Sequence, residues 1–476
     1  MLPTAVAVVT TALLIGHKSM WGDEAFSVQL ARLDPASFWQ VVSNRQANMS
    51  LYSLVLKAWL GLGDSEAVVR TLSALAAVGA VAVVAVLGSR LFGRCVGIIA
   101  GLLLAGNAFL VHYAQEARGY TLALLLVAVS TLLFVRLVES GSTAVWVSYV
   151  AAGALSLYAH FFAALVIAAH AVSLVAVSDR TARRRALSAI ALVAVLGAPL
   201  ALFVVTRDAG QVDLVPGASP YRIAAAFGAL SGGTVPMLAL FGLGSLLALS
   251  TLWRTRHELR EQERWRYVLV LSWLIVPVAG SLLINLVKPF FMTRYLIVVL
   301  PPLVILVALG LRSLRTRVAV AAAAALLVLG SLHALAGWYE GEEKEGLNFR
   351  RAADRIRNDG KPTDGIVFYR PSRRLPIEYY LRRRAALTDA PEPLYPRSGW
   401  GDFDLVADYE SRSPEGESWA ELVRRAAVDH ARVWLVKSDS EFAQDELRML
   451  ESALERRYDV RDTWDYGRLD VVLYAR

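Results

Sequence analysis

The sequence predicts a polytopic α-helical membrane protein carrying a C-terminal α/β domain. Of 476 residues, 56 % are hydrophobic. They fall in runs of roughly 17 to 22 uncharged positions, the length that crosses a bilayer core about 30 Å thick. The composition then changes near residue 337, where Ala, Leu, Val and Gly give way to the charged stretch Glu340-Gly-Glu-Glu-Lys-Glu345. These observations divide the chain into a membrane part, 1–337, and a soluble part, 338–476.

About eleven transmembrane helices are expected, near 3–17, 67–88, 95–112, 119–137, 143–159, 161–178, 187–206, 236–253, 267–287, 296–311 and 318–337. Arg90, Arg94, Arg136, the Arg180 to Arg185 cluster, Arg254 to Arg266 and Arg312 to Arg317 fall on alternate connections. Basic loops resist translocation, so these connections are expected in the cytoplasm. The N-terminus then lies inside, and loop 18–66 lies outside with everything after about 338. The net charge of +8 is read as this topology signal. No nucleic-acid partner is expected. The first apolar segment lacks the basic n-region and small-residue cleavage site of a signal peptide and is read as an anchor. The single cysteine, Cys95, excludes an intramolecular disulfide and a Cys-based metal cluster.

Loop 18–66 is expected to carry two interfacial helices. Asp34-Pro35 is a helix start, with Phe38, Trp39 and Val42 on one side; Leu51, Leu54, Val55 and Trp59 repeat the spacing. The soluble tail, about 140 residues, can bury its own core. Helices are expected near 346–358, 375–384, 417–430 and 440–456. Strands are expected at 365–369, 432–436, 458–464 and 469–474, in a mainly parallel sheet with an antiparallel edge.

Three outer segments concentrate chemistry. Asp23 and Glu24, just past the first span, are paired carboxylates at a membrane surface. A carboxylate there could take a proton from a hydroxyl or hold a divalent cation, and the residues leave both roles open. In His112-Tyr-Ala-Gln-Glu-Ala-Arg-Gly-Tyr120, Glu116 and Arg118 either pair with each other or serve a site, Arg118 binding phosphate and Glu116 facing the reacting groups. This loop is expected near Asp23. In Lys288-Pro-Phe-Phe-Met-Thr-Arg-Tyr295, Lys288 and Arg294 either snorkel or clamp an anionic headgroup. His160 ends a span at the outer face and His170 lies nearer mid-bilayer; both are first read as packing or hydrogen-bonding residues. No nucleotide-binding loop or Ser-His-Asp pattern is present.

Taken in order, Asp23-Glu24, Asn48-Met-Ser-Leu-Tyr52, Gln115-Glu-Ala-Arg-Gly-Tyr120 and Thr293-Arg-Tyr295 before Pro301-Pro302 resemble the GT-C superfamily of membrane glycosyltransferases. The likeness is to the bacterial branch similar to protein O-mannosyltransferases and the lipid A aminoarabinose transferase, and it covers roughly the first 310 residues. It implies that Asp23, with Glu24 beside it and Glu116 nearby, acts on the acceptor hydroxyl. Arg118, Arg294 and Lys288 would grip the donor's lipid phosphate, with Asn48, Tyr52, Tyr120, Tyr295 and His160 lining the substrate. A divalent metal (Mg, Mn or Ca) assists some members, and Asp23 and Glu116 are the candidate ligands. Met49-Ser50 replaces the Pro-Pro or Met-Pro of many relatives, and Tyr120 stands where some branches carry Asp.

The expected function is transfer of a hexose or pentose, with inversion, from a polyprenyl-phosphate sugar to a glycan, lipid or protein acceptor outside the cytoplasm. The setting is a bacterial plasma membrane, with membrane lipids as partners. The competing reading is a transporter or flippase of a lipid-linked or anionic substrate. Against it, charge gathers at the outer rim and no internal repeat is visible.

Overall fold

The computed structural model describes all residues except 45, 207–216, 290, 342, 344–345, 385–386, 403, 406–413, 415 and 439–443. Parts of the expected boundary segment 340–345 and the first residues of the expected helix 440–456 lie outside the described residues. The helices run in chain order α1 (Leu2–Ala12), α2 (Gly22–Arg32), α3 (Pro35–Asn44), α4 (Ser50–Trp59), α5 (Glu66–Phe92), α6 (Arg94–Ala105), α7 (Ala108–Ala114) and α8 (Tyr120–Ser140). They continue with α9 (Thr143–Ala159), α10 (Ala163–Ser173), α11 (Arg180–Thr206), α12 (Pro220–Leu230), α13 (Val235–Thr255), α14 (Glu261–Val287), α15 (Leu300–Arg312) and α16 (Arg317–Glu340). The chain forms two compact units. The first comprises Met1–Ile15, Val42–Gly63 and Ala67–Gly341; the second comprises Gly16–Val41, Asp64–Glu66 and Glu342–Arg476.

Each expected apolar segment is helical over most of its length, but the expected count of eleven spans is not reached. Among the described residues, 7 helices are long and apolar enough to cross a membrane, or 8 if α6 and α7 form one bent span. The shortfall is one of length. At about 1.5 Å per residue, a helix needs roughly 20 residues to cross the hydrocarbon core. By that measure α1 (11 residues) and α10 (11 residues) are too short, and α9 (17 residues) stands at the lower limit. The break between α6 and α7 bends the chain by 61°. It has a local cause: Asn107 caps α7, its side chain accepting from Leu110 N (3.1 Å) and donating to Leu230 O (2.9 Å). Helix α12 was not expected, although Ser219 caps it and Pro220 opens it.

Within the first unit, basic residues from alternate connections meet at one end of the bundle. Arg90 donates to Glu139 (2.9 Å), Arg266 donates to Leu91 O (3.1 Å) and lies 3.5 Å from Glu139, and Arg312 donates to Phe92 O (2.7 Å). The ends of α5, α8 and α15 and the start of α14 therefore share a side, as the charge pattern predicts. Helices α13 and α15 cross closely enough that a Cβ at Gly310 would stand 1.8 Å from Gly244 O. His170 is fully buried and bonded to Thr131 (2.9 Å) and Tyr149 (3.1 Å), in agreement with a hydrogen-bonding role.

In the second unit, α17 (Phe349–Asp359) and α18 (Arg374–Arg384) accompany a five-stranded sheet of order β2-β1-β3-β5-β4. The strands are β1 (Gly365–Phe368), β2 (Glu392–Tyr395), β3 (Arg432–Ser438), β4 (Asp459–Asp465) and β5 (Leu469–Ala475). The four expected strands form. β2 was not foreseen, being short and containing Pro393. β1 pairs parallel with β2 and β3, whereas β5 pairs antiparallel with β3 and β4, so the sheet is evenly mixed rather than mainly parallel. Helices Trp419–Asp429 and Gln444–Glu455 bury Leu422, Val423, Leu450 and Leu454 against Leu435 and Val472.

Asp364, just before β1, is a buried node of this unit. It accepts from Arg432 Nε (2.9 Å), Trp434 Nε1 (2.9 Å) and Lys361 N (2.9 Å). Burial alone would raise its pKa, but the bonds from Arg432 and Trp434 outweigh that and hold the carboxyl below its ordinary value. Its contribution is therefore present above the ordinary carboxylate range and lost as pH falls through the depressed folded value. Asp364→Asn should cost about 1.5–3 kcal/mol near neutrality. It should also flatten the acid limb of thermal unfolding of the full-length protein; an unchanged acid limb would remove Asp364 from this role.

Candidate active site

The sequence-predicted residues divide between the two units. Asp23 and Glu24 belong to the second, in the first turn of α2, where the helix N-terminus favours negative charge. Glu24 is completely buried, whereas Asp23 is half-buried. Their helix is held from several directions within that unit. Met20 N donates to Tyr380 Oη (2.7 Å), Ser19 N to Glu343 (2.7 Å) and Ser19 Oγ to Leu347 O (3.1 Å). Arg350 donates to the carbonyls of Gly16 (2.9 Å), His17 (3.0 Å) and Lys18 (3.2 Å), and also to Glu66 (3.0 Å). Helix α2 packs on α18.

The remaining residues, Asn48, Tyr52, Glu116, Arg118, Tyr120, His160, Lys288, Arg294 and Tyr295, lie in the first unit. Asn48 Oδ1 accepts from Phe161 N (3.1 Å), tying the start of α4 to the turn between α9 and α10. Met49, held at φ 64°, lies beside Gly119, as does Tyr52. A Cβ at Gly119 would stand 3.0 Å from Ala159 O, 3.2 Å from Tyr52 Cβ and 3.3 Å from Met49 Cγ, so the loop of Arg118 approaches closely because residue 119 has no side chain.

Tyr52 and Arg118 are joined through Ser73, a residue that sequence reasoning missed. Ser73 Oγ donates to Arg118 O (3.1 Å), so its single proton is used and Tyr52 Oη is the donor in the 3.1 Å contact between the two hydroxyls. Thr121 Oγ1 donates to Ser73 O (2.8 Å). No motif marks Ser73, because its role depends on a contact between distant helices. Gln115 is likewise structural, donating to Thr11 O (3.1 Å) and Leu13 O (2.6 Å) and accepting from Trp338 Nε1 (3.0 Å).

Around this anchored loop the aromatic residues converge. The Tyr295 ring lies 4.5 Å from His160, 5.1 Å from Phe162 and 6.4 Å from Tyr120, and Tyr113 lies 5.0 Å from Tyr120. Arg294 lies 5.9 Å from the centroid of the Tyr295 ring, and Arg118 and Arg294 are both within electrostatic reach of the His160 and Tyr120 side chains. Glu116 is buried, with His112 Nε2 at 3.5 Å. Lys288 is half-buried and ends α14, its N–H donating to Ile284 O (2.9 Å).

His160 is itself informative. Its Nδ1 accepts from Phe162 N (3.2 Å), so the neutral ring carries its proton on Nε2. That nitrogen is buried and has no hydrogen-bond partner among the described residues. The site thus combines two guanidinium groups, an uncommitted donor and an aromatic wall, a donor set suited to an anion. For a metal the fit is poor: among the described residues, no three His, Cys, Asp or Glu side chains come together.

A helical bundle with membrane-spanning helices and a small C-terminal mixed sheet defines the class: membrane proteins of the GT-C fold. Residues 49–206 match the sequence profile described as dolichyl-phosphate-mannose-protein mannosyltransferase. The fold matches ArnT from Cupriavidus metallidurans in its apo state (TM-score 0.63, 16 % identity, covering 99 % of this chain and 97 % of that one). It also matches the same protein bound to undecaprenyl phosphate (TM-score 0.60, 13 % identity, 99 % and 97 % coverage). The apo oligosaccharyltransferase of Archaeoglobus fulgidus matches at TM-score 0.55 and 11 % identity, over 92 % of this chain and 69 % of that chain. No curated protein matches the sequence. The profile match spans about a third of the chain, and the structural matches show that this chain shares the fold of these proteins.

Two substitutions test the anchoring of the Arg118 loop. Ser73→Ala removes the hydroxyl that bridges Tyr52 Oη and the Arg118 carbonyl, and should cost about 1–3 kcal/mol. Gly119→Ala should cost a similar amount, about 1–3 kcal/mol, through overpacking. Thermal unfolding of the purified protein measures both, and wild-type stability in either variant would refute the corresponding contact.

Proposed function

We propose that the protein is a glycosyltransferase that moves a hexose or pentose from a polyprenyl-phosphate donor to an extracytoplasmic acceptor hydroxyl, inverting the anomeric carbon. One observation carries the reading: His160, within electrostatic reach of Arg118 and Arg294, holds a buried Nε2–H with no hydrogen-bond partner among the described residues. A phosphate diester offers acceptor oxygens to all three groups, and the structural match bound to undecaprenyl phosphate supports a lipid-linked one.

The chemistry then follows from charge. The acceptor oxygen attacks the anomeric carbon as the bond from that carbon to the phosphate oxygen breaks. Polyprenyl phosphate leaves with the bonding electrons, and the acceptor proton passes to a carboxylate. Arg118 and Arg294, assisted by Lys288 and the His160 donor, stabilise the charge that grows on the leaving group. Tyr120 and Tyr295 form the wall against which the sugar is held. The family resemblance assigns the proton to Asp23, and the burial of Glu24 favours the same choice, since Asp23 is the more accessible carboxylate. The setting of the reading is a bacterial plasma membrane, with the N-terminus inside and the C-terminal domain outside.

The test uses the purified protein in liposomes with a panel of polyprenyl-phosphate sugars, acceptor extracts, and Mg, Mn, Ca or EDTA. Release of polyprenyl phosphate is the readout. Asp23→Asn should lower the rate by about 100-fold or more while donor binding persists, the usual weight of a general base. Arg294→Ala and His160→Ala should weaken donor binding by about tenfold each. Normal turnover in Asp23→Asn would remove that residue from the mechanism, and unchanged donor affinity in Arg294→Ala would return it to a snorkelling role. Loss of activity in EDTA, restored by one cation, would bring a metal into the mechanism.

A further inference from the structure

The entry to α2 holds open volume beside Asp23. Gly22 begins the helix and is buried, yet a Cβ placed on it would meet nothing within 4 Å. Gly119 and Gly310 mark close approach of a neighbour, whereas at Gly22 the missing side chain leaves space. A second demand stands next to that space. Trp21 is 9 % exposed, and its Nε1–H is buried with no hydrogen-bond partner among the described residues. Buried indole donors are ordinarily paired, because an unmade bond forfeits the solvation of the N–H.

Trp21 occupies the cap of α2, the position from which a capping side chain reaches the second and third helical residues, here Asp23 and Glu24. An indole only donates, so Trp21 forms no side-chain cap, and the first N–H groups of a helix have no partner within it. The entry thus offers donors and space and calls for an oxygen. Two carboxylates in the same turn repel an anion, so the fitting oxygen is neutral. Nor is it the attacking one. A hydroxyl that gives its proton to Asp23 needs its lone pairs for the anomeric carbon, and an N–H held on it would withdraw that density. Trp21 is therefore matched to a second oxygen on the same molecule.

We propose that Trp21 and Gly22 form the subsite for the substrate that receives the sugar, and that this substrate is a neutral carbohydrate with a vicinal pair of hydroxyls. The inference rests on the function proposed above. One hydroxyl of the pair attacks the anomeric carbon, passes its proton to Asp23 and displaces polyprenyl phosphate. Its neighbour accepts from Trp21 Nε1–H, and the ring edge occupies the volume over Gly22. A serine or threonine side chain has no second oxygen on the adjoining carbon. The subsite thus selects a glycan over a protein, and Trp21 orients the attacking hydroxyl by holding the one beside it.

The experiment measures transfer by the liposome-reconstituted protein to methyl hexosides, methyl pentosides and a serine-containing peptide, beside the acceptor extracts. Wild type should use at least one methyl glycoside and not the peptide. Trp21→Phe keeps an aromatic ring and removes the N–H. It should raise KM for that glycoside about tenfold while affinity for undecaprenyl phosphate stays at the wild-type value. Among monodeoxy analogues of the glycoside, one should lose about tenfold in kcat/KM with wild type and nothing further with Trp21→Phe. Gly22→Ala places a methyl group in the open volume without meeting a neighbour and suits a helix better than glycine, so it should raise the same KM without weakening the fold. Thermal unfolding confirms that both variants fold. Transfer to the extracts but to no methyl glycoside, transfer to the peptide, a full further loss in every deoxy analogue, or an unchanged KM in either folded variant would overturn the subsite while leaving the proposed function standing. No release of polyprenyl phosphate with any donor and any acceptor would overturn both.

Discussion

The second unit depends on one network of charge. Asp64 and Glu66 are two residues apart, and three arginines from different elements converge on them. Arg383 of α18 lies 2.8 Å from Glu66 and 3.3 Å from Asp64, Arg350 of α17 reaches Glu66 at 3.0 Å, and Arg32 at the end of α2 pairs with Asp64. Arg350 also takes the carbonyls of residues 16 to 18. A single guanidinium thereby fixes the chain leading into α2 to the same carboxylate that fixes α18. Exposed pairs of this kind are worth little singly, but a shared network positions several elements at once. What it positions is the helix bearing Asp23 and Glu24.

That arrangement gives the C-terminal domain a physical role. Tyr379 and Tyr380 are both buried, and burial pushes the pKa of both phenols well above its ordinary value, so they stay protonated. Tyr380 accepts from Met20 N, while Tyr379 donates to Asp64 O (2.6 Å). The domain built around the mixed sheet thus supplies α18, and α18 supplies the surface on which α2 is packed. Placing a carboxylate-bearing helix on a folded domain fixes its rotamers better than a free loop could, a requirement wherever proton transfer needs alignment within about half an ångström.

Much of this was legible in the sequence, for identifiable reasons. The apolar segments became helices because hydrophobic length is a local property. Asp34 caps α3 as its identity requires, accepting from Ala36 N (2.9 Å) and Ser37 N (3.2 Å). The segments around residues 48, 116 and 294 stand out in the sequence because they concentrate polar groups at span ends. The span count was not, because α9 and α10 are continuous apolar sequence whose helices stop short at His160 and near Val177. Nor was the assignment of residues 16–41 to the unit containing the tail, since that depends on Arg350 and Tyr380, more than 300 positions away.

His160 shows how the two levels of reading combine. From sequence, a lone histidine at the end of a span is a packing residue. The bond from Phe162 N removes Nδ1 from consideration, and burial without an acceptor makes Nε2–H a donor held out of water. Such a donor costs about 1–3 kcal/mol unless something completes it. His170, equally buried, has both nitrogens engaged by Thr131 and Tyr149 and keeps the structural role. Two histidines ten residues apart on neighbouring elements are thus separated by one hydrogen bond. That bond is missing beside Arg118 and Arg294, where an anion can supply it.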